Sequence, residues 1–111
     1  MELILTGNPQ STNNIYRSVG HRVYVTSKGK ALKEDYQWQI KSQYKGKPKT
    51  GDIDLRVELF FGDNRKRDID NYNKILLDAF TGILWLDDSQ IQSLLIIKNK
   101  DIKNPRIVIN L

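Results

Sequence analysis

"IDLRVELFFGDNRKRDIDNYNKILLDAFTGI", residues 53–83, sets two hydrophobic periods side by side. Ile53, Leu55, Val57, Leu59 and Phe61 alternate with Asp54, Arg56, Glu58 and Phe60, the period of two of a strand with one wet face. After the GDNRKR turn, Tyr72, Ile75, Leu76, Ala79, Phe80 and Ile83 recur at helical offsets, predicting an amphipathic helix over 71–83 whose apolar stripe faces a core. Asn73, Lys74, Asp78 and Thr81 fall on its other faces, and Gly82 helps to stop it.

Outward from this unit, "ELILT" (2–6) reads as a short strand, and "GNPQSTNNIYRSVGHR" (7–22) as a polar, turn-rich stretch carrying Arg17, His21 and Arg22. "VYVT" (23–26) predicts a second strand. Ser27 is placed to cap a helix through about Lys45, with Leu32, Tyr36, Ile40 and Tyr44 at spacing four, and "GKPKTGD" ends it. "SQIQSLLIIKN" (89–99) and "PRIVINL" (105–111) read as closing strands, and Trp38 and Trp85 as core residues. The expectation is a single α+β domain over 1–111, two main helices packed on one side of a mixed, mostly antiparallel sheet.

Composition bounds the chemistry. The chain has the length of one core, and no apolar run approaches the roughly 18 residues of a membrane span, so the expectation is a cytoplasmic protein with no membrane partner. There is no cysteine and only one histidine, His21, read as a loop or DNA-contact residue. Thiolate and polyhistidine sites are excluded, and any metal is a hard cation held by oxygen. Residues 1–51 carry nine Lys and Arg against three acids, whereas residues 52–111 carry nine against ten. A cationic front half suits a polyanion, with an ordinary Lys-rich surface as the plain alternative.

Two aspartates, Asp68 and Asp70, stand one residue apart behind three cations. On a helix, side chains two apart point about 200° from each other; in extended chain they share a face, so these two converge only if the stretch is extended. Asp70 sits at or near the helix N-cap, and Lys74 lies one turn above it. A purely structural reading is open too, with Asp70 as the cap and Asp68 paired to Arg67 or Lys66. A calcium loop is not: it would need Gly at Asn73 and Glu at Ala79. A second acidic pair, Asp87 and Asp88 in "ILWLDDSQI", reads either as ligands or as a turn cap. Periodicity does not bring the two pairs together.

The residues "RDIDNYNK", the "DAFTG" that follows and then "WLDDSQI" resemble the RusA family of Holliday junction resolvases, and "STNNIYR" with "YVTSKGKALKEDY" is similar to that family's N-terminal signature. The likeness runs over about residues 8–98. It implies that Asp68, Asp70 and Asp88 are catalytic metal-binding carboxylates for Mg2+ or Mn2+, and that Lys74 is the catalytic lysine. Asp87 is the adjoining candidate ligand, since a one-residue slip exchanges it with Asp88. The resemblance further implies a homodimer acting on branched DNA, making paired nicks in a four-way junction during recombination and repair. Phosphate contacts position DNA arms without reading sequence. Arg17, Arg22, Lys28, Lys30, Arg65 and Arg67 are the candidates for them, with Asn13, Asn14 and Tyr16 as polar or stacking contacts. Two other readings stand beside this one: a branched-DNA nuclease for flaps or forks, and a DNA-binding module without catalysis.

Overall fold

The computed structural model describes the backbone of residues 1–111 and every side chain except that of Asn14. The chain runs β1 (Glu2–Thr6), a 3-10 turn (Thr12–Asn14), β2 (Tyr16–Val19), β3 (Arg22–Val25) and α1 (Ser27–Gln43). It continues through β4 (Ile53–Phe61), a 3-10 turn (Ile69–Asn71), α2 (Asn73–Phe80), a 3-10 turn (Asp88–Gln90), β5 (Ile91–Lys100) and β6 (Arg106–Asn110). The main sheet has the order β1-β6-β4-β5, and β2 and β3 form a separate two-stranded ribbon. Among the named strand pairs, β4 with β5 is parallel and the others are antiparallel. Parallel neighbours need a crossover, and the stretch containing α2 supplies it.

The alternation in β4 has the consequence its period demands: Ile53, Leu55, Val57, Leu59 and Phe61 are buried, and Asp54 and Arg56 are exposed. Register sets Leu3, Ile109, Val57 and Ile96 in one row across the sheet, with Leu5, Ile107 and Leu59 in the next buried row. Tyr36 and Ile40 of α1, with Ile75, Leu76, Ala79 and Phe80 of α2, join these side chains in one core. Trp85 is fully buried there, edge-on to Phe80 at 6.1 Å. Burying side chains of this size stabilises the fold by roughly 1.5–3 kcal/mol each. The outer edge of β1 is covered by α1: Gln43 accepts from Ile4 N (2.8 Å) and donates to Ile4 O (2.6 Å), and Gln39 accepts from Thr6 N (2.8 Å). The other edge of the sheet is β5. Among the described residues, no helix is long and apolar enough to cross a membrane.

Several expectations change. The polar stretch 7–22 contains β2, which pairs with β3 through a two-residue turn at Gly20 and His21. Gly20 there has φ 62°, a conformation that side-chain-bearing residues rarely adopt. Its strand was hidden because β2 is mostly exposed on both faces and so has no hydrophobic alternation. Thr26, and not Ser27, caps α1, its hydroxyl accepting from Gly29 N at 3.1 Å. The predicted helix 71–83 is shorter: Thr81 turns extended, and Gly82 at φ 89° reverses the chain. Trp38 is not core but 72% exposed on α1. Its neighbours a turn away, Glu34, Asp35, Lys41 and Ser42, are also exposed, so it lies on the wet face.

Candidate functional site

The N-terminal signature and the acidic motif meet because the chain laces them together. Asn8 Oδ1 accepts from Gly62 N at 3.0 Å, the Thr12 hydroxyl donates to Asn71 O, and the Tyr16 hydroxyl donates to Asp78 Oδ2. Tyr16 therefore ties β2 to α2. Above its ring sits Lys74 Nζ, 4.4 Å from the centroid and 3.8 Å from Asp78 Oδ2. The Tyr16 phenol is pushed well above its ordinary pKa, first by burial, then by its hydrogen bond to Asp78 and by the charges of Asp78 and Asp88. It stays a hydroxyl donor, and Asp88 is near enough for its charge to be felt there.

Asp88 is aimed by its neighbours. Its Oδ1 receives the Thr81 hydroxyl and, at 3.1 Å, Trp85 Nε1–H, which is shared with Thr81 Oγ1 at 3.0 Å. Both donors sit on the reversal that ends α2, and both converge on one carboxylate oxygen. Asp87 does a different job. Its Oδ1 accepts from Ser89 N at 3.0 Å, and Gln90 Oε1 accepts from Asp87 N at 3.0 Å, a capping box on the 3-10 turn. The acidic pair thus divides into a cap and a carboxylate held by Thr81 and Trp85.

Asp68 and Asp70 lie at the opposite end of α2. The chain is extended at Asp68 (φ −86°, ψ 124°), but Asp70 is already inside a 3-10 turn, so the two do not share the single extended stretch that spacing alone required. Asp70 does not cap α2, whose N-cap is Tyr72. Both carboxylates are exposed, and that of Asp68 makes no capping hydrogen bond. Every candidate ligand is a carboxylate oxygen, the donor class that suits Mg2+ and Mn2+. By donor type alone the set suits such an ion. Among the described residues, no three acidic or histidine side chains stand close enough together to hold a metal ion, so Asp68, Asp70 and Asp88 are not brought together.

Of the cations, Arg17, Arg22, Lys28, Lys30 and Arg65 are exposed, as is Asn13. The Asn14 side chain lies outside the described residues. Arg67 differs: its side chain is 12% exposed, its fork grips Asp63 at 2.6 and 2.8 Å, and it covers the Phe61 ring at 4.3 Å. That grip, with Arg65 N–H, holds the Asp63 carboxyl well below the usual carboxylate range. Lys98 Nζ donates to Arg67 O at 3.1 Å, so Lys98 and the Asp63–Arg67 pair together tie down the loop that leads into Asp68. Sequence reading gave Asp78 and Thr81 no role. The signal for Asp78 was its i,i+4 spacing from Lys74. Thr81 carried none, because its partner lies across a reversal.

Comparison with known proteins adds to the geometry. A family model described as endodeoxyribonuclease RusA matches residues 6–111. The chain is 31% identical over 100 residues to the crossover junction endodeoxyribonuclease RusA of Escherichia coli K12, covering 89% of this chain and 83% of that one. Proteins of the same name from Shigella sonnei and Enterobacteria phage 82 are 30% identical over the same lengths.

Proposed function

This chain belongs to the RusA family of endodeoxyribonucleases, Holliday junction resolvases by function, and we propose that it resolves four-way DNA junctions by paired, symmetric, Mg2+-dependent nicks. In this reading residues 1–111 are one nuclease domain acting in the cytoplasm, in recombination and repair. Asp68, Asp70 and Asp88 would hold Mg2+, or Mn2+ in its place. Held there, a divalent cation would supply an activated water and charge neutralisation at the leaving 3′-oxygen.

The chain's own groups do the rest. Thr81 and Trp85 hold Oδ1 of Asp88 and so fix the direction of its second oxygen. Exposed Asp68 and Asp70 repel DNA until their charge is met. Lys74 presents an ammonium where negative charge gathers on the phosphate. Arg17, Arg22, Lys28, Lys30 and Arg65, with Asn13 beside them, take the phosphates of the arms. Arg67 supports from within, and Asp87 keeps its turn capped. A junction has near two-fold symmetry and needs two cuts, which a C2 homodimer provides.

The observation that carries this reading is that Lys74 lies over the Tyr16 ring beside Asp78, while Thr81 and Trp85 hold the Asp88 carboxylate where α2 ends. The test is a synthetic immobile four-way junction, incubated with Mg2+ or with EDTA, both strands mapped. Symmetric nicks with Mg2+ alone are expected. Preference for flaps or forks would shift the specificity, and chelator-indifferent binding without cuts would leave only a DNA-binding module.

A further inference from the structure

We infer that Asp78 is a positioning residue for Lys74: held by the Tyr16 hydroxyl, its carboxylate fixes where the lysine ammonium sits beside the reacting phosphate. This rests on the nuclease reading above. A lysine stem has four rotatable carbons and no preferred end point. Here the end point is defined from two sides: Asp78 Oδ2 stands 3.8 Å from Nζ, and the Tyr16 ring lies 4.4 Å beneath it. Those two partners are locked to each other, since the same Oδ2 accepts the Tyr16 hydroxyl from a residue 62 positions away. At 3.8 Å the ammonium is steered without being hydrogen-bonded, so its three donors remain for phosphate oxygens.

The competing account is an ordinary i,i+4 surface pair. Its side chains are 55% and 33% exposed, and pairs of that kind contribute little to stability. They also leave no mark on a reaction rate. Tyr16 distinguishes the two accounts structurally, because a surface pair needs no third residue from another strand.

The test is a double-mutant cycle on single-turnover cleavage of a four-way junction, with junction affinity measured in parallel. Asp78→Asn is expected to slow cleavage about ten- to a hundredfold, the range for a misplaced catalytic group, with affinity and melting temperature nearly unchanged. In a Lys74→Ala background the same change should slow cleavage no further. Tyr16→Phe, which keeps the ring and removes the hydroxyl, should fall between. Wild-type rates in Asp78→Asn, or equal losses in both backgrounds, would overturn the inference while leaving the nuclease reading intact. A wild-type chain that cuts no branched DNA would overturn both.

Discussion

Replacing Thr81 by Val removes one hydroxyl at nearly constant volume and isolates what that hydroxyl does. Thr81 has a single proton and faces two acceptors, Leu77 O at 2.8 Å and Asp88 Oδ1. The carboxylate is the stronger acceptor, so the proton goes there. A charge-assisted hydrogen bond contributes about 1.5–3 kcal/mol. Asp88 is only half-buried, and water replaces part of the loss, so the lower end, about 1.5 kcal/mol, applies. Trp85 Nε1–H remains on Oδ1 at 3.1 Å and keeps the carboxylate nearby, but loss of the Thr81 hydroxyl lets it rotate about that single anchor. If that aim serves metal binding, the Mg2+ concentration for half-maximal cleavage should rise about tenfold, the equivalent of 1.4 kcal/mol. Melting temperature should fall by about 5–7 °C. The assay is junction cleavage across a Mg2+ titration, with Mn2+ binding followed by calorimetry and Thr81→Ser as the variant that restores the bond. A Mg2+ requirement unchanged within about twofold, alongside the expected thermal loss, would refute an orienting role.

Four further outcomes are expected. Asp68→Asn should abolish cutting yet keep or tighten junction binding in a gel-shift assay; retained cleavage would remove this residue from the site. Arg17→Gln with Arg22→Gln should weaken binding and flatten the log affinity against log salt plot by roughly two, one unit per lost phosphate contact. Gly29→Ala sets two effects against each other: alanine favours a helix by about 1 kcal/mol, but its Cβ would stand 2.5 Å from Ile15 Cγ2 and 2.7 Å from Ile15 O. Backbone does not yield, so a net loss of about 1–2 kcal/mol in urea unfolding is expected. Asp63 has a lowered folded pKa, set first by the Arg67 hydrogen bonds, so the stability it contributes is complete above the ordinary carboxylate pKa near 4 and is lost as pH falls through the lowered value. The urea midpoint of the wild type should accordingly exceed that of Asp63→Asn at pH 6 and converge with it under strongly acid conditions; a gap that ignores pH would contradict the linkage.

Strength of local pattern separates the elements that could be read in advance from those that could not. β4 was legible to the residue, since nine consecutive positions alternate and half of each pair is buried. The apolar stripe of α2 was equally clear, although its last turn was not: Ile83 keeps the helical spacing yet follows Gly82, where the chain has already reversed. β2 and Trp38 were misread for one reason. Each lies on a surface exposed by the packing around it, and exposure leaves no periodic trace.

Sequence alone determined the class of fold, the sheet-and-helix unit at its centre, the oxygen-only character of any metal site and the motifs that mark the family. Those follow from period, composition and spacing, which are local properties of the chain. Tertiary structure alone decided the division of labour among neighbours: Asp87 as a cap and Asp88 as a held carboxylate, Arg67 turned inward on Asp63, and Asp78 joined to Lys74 and Tyr16. Each of those roles depends on which oxygen meets which proton across a turn or between strands, and such meetings are set only when the core closes and brings distant segments into register.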